Sequence, residues 1–226
     1  MKSKNGELLT APDKIKDRWV EDFSDLLNQP TVVDLNIVDE IDQFPVIESM
    51  SRPNENQELD HTLRNTRLGK SPGPDGILPE VLVHGGRSLR AFLLVLFNIC
   101  WTTEIISTNW IDAIIVILFK KGDRSFCGNY RGISLLSAVG KVFAGIILQR
   151  LNLLAEHIYP QSQSGYRNGR STIDGIFTLR QLMDKTREQH KCLYIAFVDF
   201  VKACDTVSRE LLFIILGKLG CPPKFI

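Results

Sequence analysis

Apolar and polar positions alternate along this chain with two distinct periods, and the change between them marks out the elements. Residues 12 to 28 place Ile15, Trp19, Phe23, Leu26 and Leu27 on one helical face with charged residues opposite, which predicts an amphipathic helix in need of a docking surface. Residues 29 to 60 carry three prolines, much acid and no sustained period, the pattern of a linker. A short helix is predicted from Pro79 to the glycines at 85 and 86, followed by a long apolar helix over residues 88 to 101, buried on most sides. The run AIIVILF, residues 113 to 119, reads as a core strand, and YRGISLL, residues 130 to 136, as its hairpin partner across a turn rich in Gly, Asp and Asn. Ser137 then caps a helix whose Val139, Val142, Phe143, Ile146, Leu151 and Leu154 share a core face. Ser171 and Asp174 fit a capping box for another helix. Last, LYIAFV at 193 to 198 reads as a buried strand ending in Asp199, with Asp205 and Ser208 as candidate caps for a closing helix.

Charge divides the chain unevenly. Residues 1 to 60 hold six basic and fourteen acidic side chains, a balance of −8, whereas residues 61 to 226 hold 21 basic and 12 acidic, a balance of +9. A basic portion behind an acidic lead suits attraction to a polyanion, although a solvated surface with chance asymmetry would look alike. With 44% hydrophobic residues, the basic portion is long enough for one core. The expected organisation is therefore a helix and acidic linker over 1–60 and one domain over 61–226. The five cysteines form no CxxC pair and no signal peptide opens the chain, which points to a reduced intracellular setting. The longest apolar stretches, near 91 to 101 and 113 to 119, are too short to cross a bilayer.

Candidate chemistry gathers at turns. A carboxylate at a strand end, as at Asp199, needs a cation, a hydrogen-bond partner or solvent, and oxygen ligands there suit Mg²⁺; a plain turn-capping role fits the same position. The hairpin would project Lys120, Lys121, Arg124 and Arg131 from one arm, either as a clamp for phosphates or as a solvated tip. Lys70 stands at the edge of the stiff loop GKSPGPDG, residues 69 to 76, and Arg167 and Arg170 flank the turn of QSGYRNGRSTID, residues 163 to 174.

Several chemistries are excluded. Gly140 and Lys141 lack the earlier glycine and following hydroxyl of a phosphate-binding Walker loop. The four histidines are scattered with no HExxH and no zinc spacing, and neither GxSxG nor GxGxxG occurs.

Four blocks, KSPGPDGILPEVL, then NWIDAIIVILFKKGDRSFCGNYRGISLLSAVGKVFAGIILQRL, QSGYRNGRSTIDGIF and AFVDFVKACDTVSRELL, stand in an order that resembles the reverse transcriptase of non-LTR, LINE-type retrotransposons. The resemblance covers roughly residues 61 to 226. It implies an α+β right-hand polymerase of which this chain holds the fingers and a partial palm. It further implies Asp199 as the first catalytic aspartate and a ligand of Mg²⁺, with the backbone carbonyl of Phe200 as a second ligand. Lys120, Lys121 and Arg131 would meet the nucleotide triphosphate, and Lys70, Arg167 and Arg170 the template. The implied partners are an RNA template, a DNA primer and deoxynucleoside triphosphates, with no membrane.

Two departures from the family pattern shape the expectation. Cys204 stands where the family has Phe or Tyr, a ring that excludes a sugar 2′-hydroxyl, so weaker sugar discrimination is expected. The family's later Asp-Asp block does not follow Asp199, and Asp205 reads as a helix cap rather than a replacement. Two-metal nucleotidyl transfer needs more than one carboxylate position. The expected function is therefore a truncated fragment of an RNA-directed DNA polymerase, inactive alone, with a non-catalytic RNA-binding module or a relic reading frame as alternatives.

Overall fold

The structure, a computed structural model, describes residues 1–28, 36–200 and 202–226. It is a mixed helix-and-sheet fold, and the first seven residues of the predicted linker lie outside the described part. Helices α1 (Pro12–Leu27), α2 (Asn36–Asp39), α3 (Asn56–Asn65), α4 (Pro79–His84), α5 (Gly86–Thr103) and α6 (Thr108–Ile111) precede an antiparallel pair, β1 (Ala113–Phe119) and β2 (Tyr130–Leu136). Helices α7 (Ala138–Ile158), α8 (Thr172–Glu188) and α9 (Arg209–Lys218) follow.

The helical core forms where the 3.6-residue period is strongest. On α7 the buried residues Val139, Val142, Phe143, Ile146 and Leu154 fall on one face, as the spacing predicts, and Ser137 caps the helix by accepting from the Gly140 N–H at 3.2 Å. Against that face pack Leu59 and Leu63 of α3 and Phe97 of α5, whose ring lies 5.2 Å from Phe143. α7 is long and apolar enough to cross a membrane by composition, yet it forms the centre of this core and buries Arg150. α5 differs from expectation. Only Leu93, Phe97, Cys100 and Trp101 are buried, while Phe92, Val95 and Ile99 face outward, so the helix packs on one face.

The acidic stretch is packed from Gln43 onward rather than left free. Phe44 and Ile47 donate backbone N–H groups to the carbonyls of Lys218 and Gly220 at 2.8 and 2.9 Å, and Met50 joins Leu154 and Cys221 in a second buried cluster. Glu58 is drawn into the interior by Arg150 of α7. Arg150 donates to both Glu58 carboxylate oxygens at 2.8 and 2.7 Å and to the carbonyls of Met50, Arg52 and Pro53. Burial pushes the Glu58 carboxyl upward, but the Arg150 hydrogen bonds and the nearby Arg52 outweigh it and hold the group below its ordinary value.

The hairpin forms as predicted, with Ile115 opposite Ser134, Ile117 opposite Gly132 and Phe119 opposite Tyr130. Its strands are exposed instead of core, because two strands offer two faces and only one is covered by a helix. That cover is α1. Trp19 meets the Tyr130 ring edge-on at 5.0 Å, and Phe23 lies over Gly132, where any side chain would collide with its ring. The amphipathic face of α1 thus finds its docking surface on the hairpin.

Residues 193–198 depart most from expectation. They adopt no strand, no described segment pairs with their backbone, and Tyr194, Phe197 and Val198 are 92%, 84% and 76% exposed. A strand is stable only when neighbours satisfy its N–H and C=O groups, and the β1–β2 pair does not extend to this segment. Asp205 also leaves its expected role: Ser208 alone caps α9, accepting from the Leu211 N–H at 3.3 Å.

Candidate functional site

The hairpin, α1, Phe200 and residues 202–205 enclose a cleft of about 340 Å³. Lys120 and Arg131 from the two strand ends, Phe200, and Cys204 with Asp205 from the following turn all line it. Trp19, Phe23 and Leu26 of α1 form its apolar wall. Three cations, Lys120, Arg131 and Lys202, outnumber the two carboxylates Asp22 and Asp205 around a cavity that also holds aromatic rings and a thiol, a site that fits an anionic group at one end and a flat or apolar group at the other.

The tip that carries Lys120 and Lys121 is braced. Asp123 accepts from the Ser125 N–H and hydroxyl at 2.8 Å each, and these bonds hold its carboxyl below the usual range. Asn129 donates to the Asp123 carbonyl at 2.8 Å and the Tyr130 hydroxyl to the Arg124 carbonyl at 2.9 Å. Arg124 stacks on Phe119 at 4.8 Å, which commits it within the hairpin and leaves Lys120, Lys121 and Arg131 as the outward cations. Lys121 is exposed but does not line the cleft.

Asp199 stands next to Phe200 in sequence, yet it is exposed, does not line the cleft and makes no hydrogen bond or ion pair with a described residue. Among the described residues no three His, Cys, Asp or Glu side chains come close enough to hold a metal ion. One carboxylate and one carbonyl do not make a two-metal centre, so the donor set does not fit a complete Mg²⁺ site.

Lys70 lies elsewhere. The GKSPGPDG loop is pinned by the Gly69 N–H donating to Glu80, by the Ile77 N–H donating to Asp75 at 3.1 Å, and by Gly73, which abuts the backbone at Leu136 and Ser137. This brings Lys70 beside Lys141, and both line adjoining depressions of about 400 and 380 Å³, the first also holding His61 and Arg67. Lys141 escapes sequence reasoning because its partner in this patch is 71 positions earlier; its spacing on α7, off the apolar face, was the available signal.

Arg167 and Arg170 join neither place. Arg167 donates to the Pro160 carbonyl at 3.0 Å and Arg170 to Gln161 at 2.8 Å, so both brace their own loop. Three cysteines are buried, Cys100, Cys127 and Cys221, with burial pushing the Cys221 thiol up to about 11; Cys192 and Cys204 are exposed.

The family described as reverse transcriptase (RNA-dependent DNA polymerase) matches residues 119–226. The chain is 29% identical over 231 aligned residues, 99% of its length, to the transposon TX1 uncharacterized 149 kDa protein of Xenopus laevis, covering 18% of that protein. It is 31% identical over 163 residues, 70% of its length, to the Pol polyprotein of the type-1 retrotransposable element R1 from Bradysia coprophila, covering 16% of it. A third relative, the probable RNA-directed DNA polymerase from transposon BS of Drosophila melanogaster, is 26% identical over 75% of the chain and is itself covered to 19%. The chain thus spans less than a fifth of the length of these three relatives. With its hairpin, its helical core and these four ordered blocks, the chain is a LINE-type, non-LTR reverse transcriptase domain.

Proposed function

We propose that this chain serves as the fingers and the front of the palm of an RNA-directed DNA polymerase, and that the cleft lined by Lys120 and Arg131 receives the triphosphate of an incoming deoxynucleotide. The observation that carries this reading is the cleft itself, because it collects Lys120, Arg131, Phe200 and Cys204 from two parts of the chain some 70 residues apart. Arg131 offers a planar fork for phosphate oxygens and Lys120 a point charge, while Phe200 and Cys204 approach from the side a sugar would occupy. Lys121, at the rim, adds long-range attraction. Lys70, joined by Lys141, gives the template a second basic contact, and Arg167 with Arg170 shapes the loop beyond it.

Asp199 is assigned as the first carboxylate of the ion site, with the Phe200 carbonyl beside it. The remaining carboxylates are not brought to Asp199 by any described residue, so these 226 residues bind nucleotide without extending a primer. Fluorescent deoxynucleoside triphosphate titration and primer extension on the purified chain test both clauses. Saturable binding lost on Lys120→Gln with Arg131→Gln, and no extension, is the expected pair of results; template-dependent extension would overturn the second clause and absent binding the first.

A second reading, RNA binding without catalysis, is favoured by the +9 balance of residues 61–226 and by the Lys70–Lys141 patch. It predicts RNA affinity that falls steeply with salt and drops on neutralising Lys70 and Lys141, irrespective of Lys120 and Arg131.

A further inference from the structure

Between α3 and α7 lies the larger of the two depressions that Lys70 and Lys141 share, a cavity of about 400 Å³ with no lining residue in common with the triphosphate cleft. The buried Pro79 and Ala138 give it an apolar floor, and Arg67, Lys70 and Lys141 bring three cations to it. No Asp or Glu among the described residues lines it. Its volume falls in the small-ligand range of roughly 300–1,000 Å³, and unopposed cations beside an apolar floor suit a flat ring carried on a phosphate.

The amides on its wall decide which ring. Gln149 of α7 donates from Nε2 to the Glu58 carbonyl at 3.0 Å and to the Thr62 hydroxyl, so both of its N–H hydrogens are spent on α3. Its Oε1 has no partner among the described residues, which leaves a half-buried side chain in the cavity with an acceptor to offer. Asn65 likewise turns its Nδ2 to His61, 3.1 Å from Nε2, and leaves its Oδ1 unpartnered among the described residues. Acceptors on the protein call for donors on the base. Adenine and cytosine present an exocyclic amino group, whereas uracil presents a carbonyl in its place and would set one acceptor against another at Gln149.

The second depression, about 380 Å³, extends the path for a strand. It is also lined by Lys70 and Lys141 and is completed by Val116 and Ile133 of the hairpin. Those two residues pair across the strands and lie on the opposite face of the sheet from Ile115 and Gly132, which line the triphosphate cleft. Two lysines common to adjoining depressions stand where successive phosphates of one strand would pass.

We infer that the cavity between α3 and α7 holds one unstacked, amino-bearing base of a single-stranded RNA, with Gln149 as the residue that disfavours uracil. The inference rests on the reading of Lys70 and Lys141 as RNA contacts. Only an unpaired base reaches such a pocket, so the pocket selects where a strand seats and not which bases are copied.

Fluorescence anisotropy of the purified chain with short oligocytidylate and oligouridylate tests it, since the two strands match in charge and ring size. Oligocytidylate should bind about fivefold more tightly or better. Gln149→Met, which keeps the side chain's length, and Asn65→Ala should each bring that ratio towards one, with circular dichroism melting to show that both variants fold. Lys70→Gln with Lys141→Gln should weaken both strands alike and leave the ratio in place. Equal affinity for the two strands that still falls on neutralising the lysines overturns the inference and leaves the RNA contact standing. Binding of neither strand, or binding indifferent to the lysines, overturns both. A ratio unmoved by Gln149→Met and by Asn65→Ala overturns the role given to the amides, and cytidine monophosphate competing as well as the oligomer overturns the assignment to a strand.

Discussion

Arg150 and Glu58, 92 residues apart, meet through two near-parallel hydrogen bonds of 2.8 and 2.7 Å at the centre of the fold, with the Trp101 ring 5.0 Å from the guanidinium. The same guanidinium gathers three backbone carbonyls between Met50 and Pro53, so a single side chain on α7 fastens the acidic segment to the helical core. Arg150→Met leaves the Glu58 carboxylate with only the half-exposed Arg52 at 3.5 Å and the Glu55 N–H at 3.0 Å, and is expected to lower unfolding free energy by about 1–3 kcal/mol. The double variant with Glu58→Gln should lose clearly less than the two single losses combined. Urea denaturation of the four proteins measures the coupling.

The same pair sets a pH dependence. The Glu58 carboxyl is held below its ordinary 4.5 in the folded chain, so its contribution is fully present above that value and is lost as pH falls below it through the folded-state value. Urea midpoints taken from pH 7 down to pH 3 should decline on the acid side for the wild type. Glu58→Gln should flatten that part of the decline.

Gly220 ties α9 to the acidic segment. Its φ of +93° is left-handed, and a side chain there would run into the Pro45 carbonyl. Gly220→Ala should therefore cost roughly 1–3 kcal/mol and loosen the contact its carbonyl makes with the Ile47 N–H at 2.9 Å. Hydrogen exchange at Ile47 reports the second effect directly.

Much of this organisation is legible in the sequence because it is local. The cap at Ser137, the capping box at Ser171 and Asp174, the apolar face of α7 and the two strands of the hairpin each follow from residues close to one another in sequence, Ala113 and Leu136 being the most widely separated pair. What failed was non-local. Glu58 reads as one more solvated charge until Arg150 is brought to it, and the acidic stretch reads as linker for the same reason. The 193–198 segment has the composition of a buried strand, but composition does not supply the neighbouring strand that would make it one. At the candidate site, Lys120 and Arg131 were readable as a pair on one hairpin; that α1 would wall their cleft was not.

Thiol chemistry separates buried from cleft-lining positions. Iodoacetamide at pH 8 should modify Cys192 and Cys204 rapidly and Cys221, buried and raised to about 11, at least tenfold more slowly. A deoxynucleoside triphosphate should protect Cys204 and leave Cys192 unaffected. Peptide mass spectrometry over a time course distinguishes the sites.

Neutralising the cleft has a size as well as a direction. A charge-assisted hydrogen bond contributes about 1.5–3 kcal/mol, so Arg131→Gln should weaken triphosphate binding by about tenfold or more. Lys121→Gln, at the rim, should act mainly through ionic strength and fade by about 0.5 M salt.

The seating of Phe23 over Gly132 carries a practical consequence. The recognisable family match begins at residue 119, whereas the apolar wall of the cleft is contributed by residues 19 to 27. A polypeptide trimmed to the boundaries of the match would keep the cleft's three cations and lose the surface that gives their pocket its depth. The cleft is therefore built from segments far apart in sequence, and its first helix is as much a part of it as the hairpin.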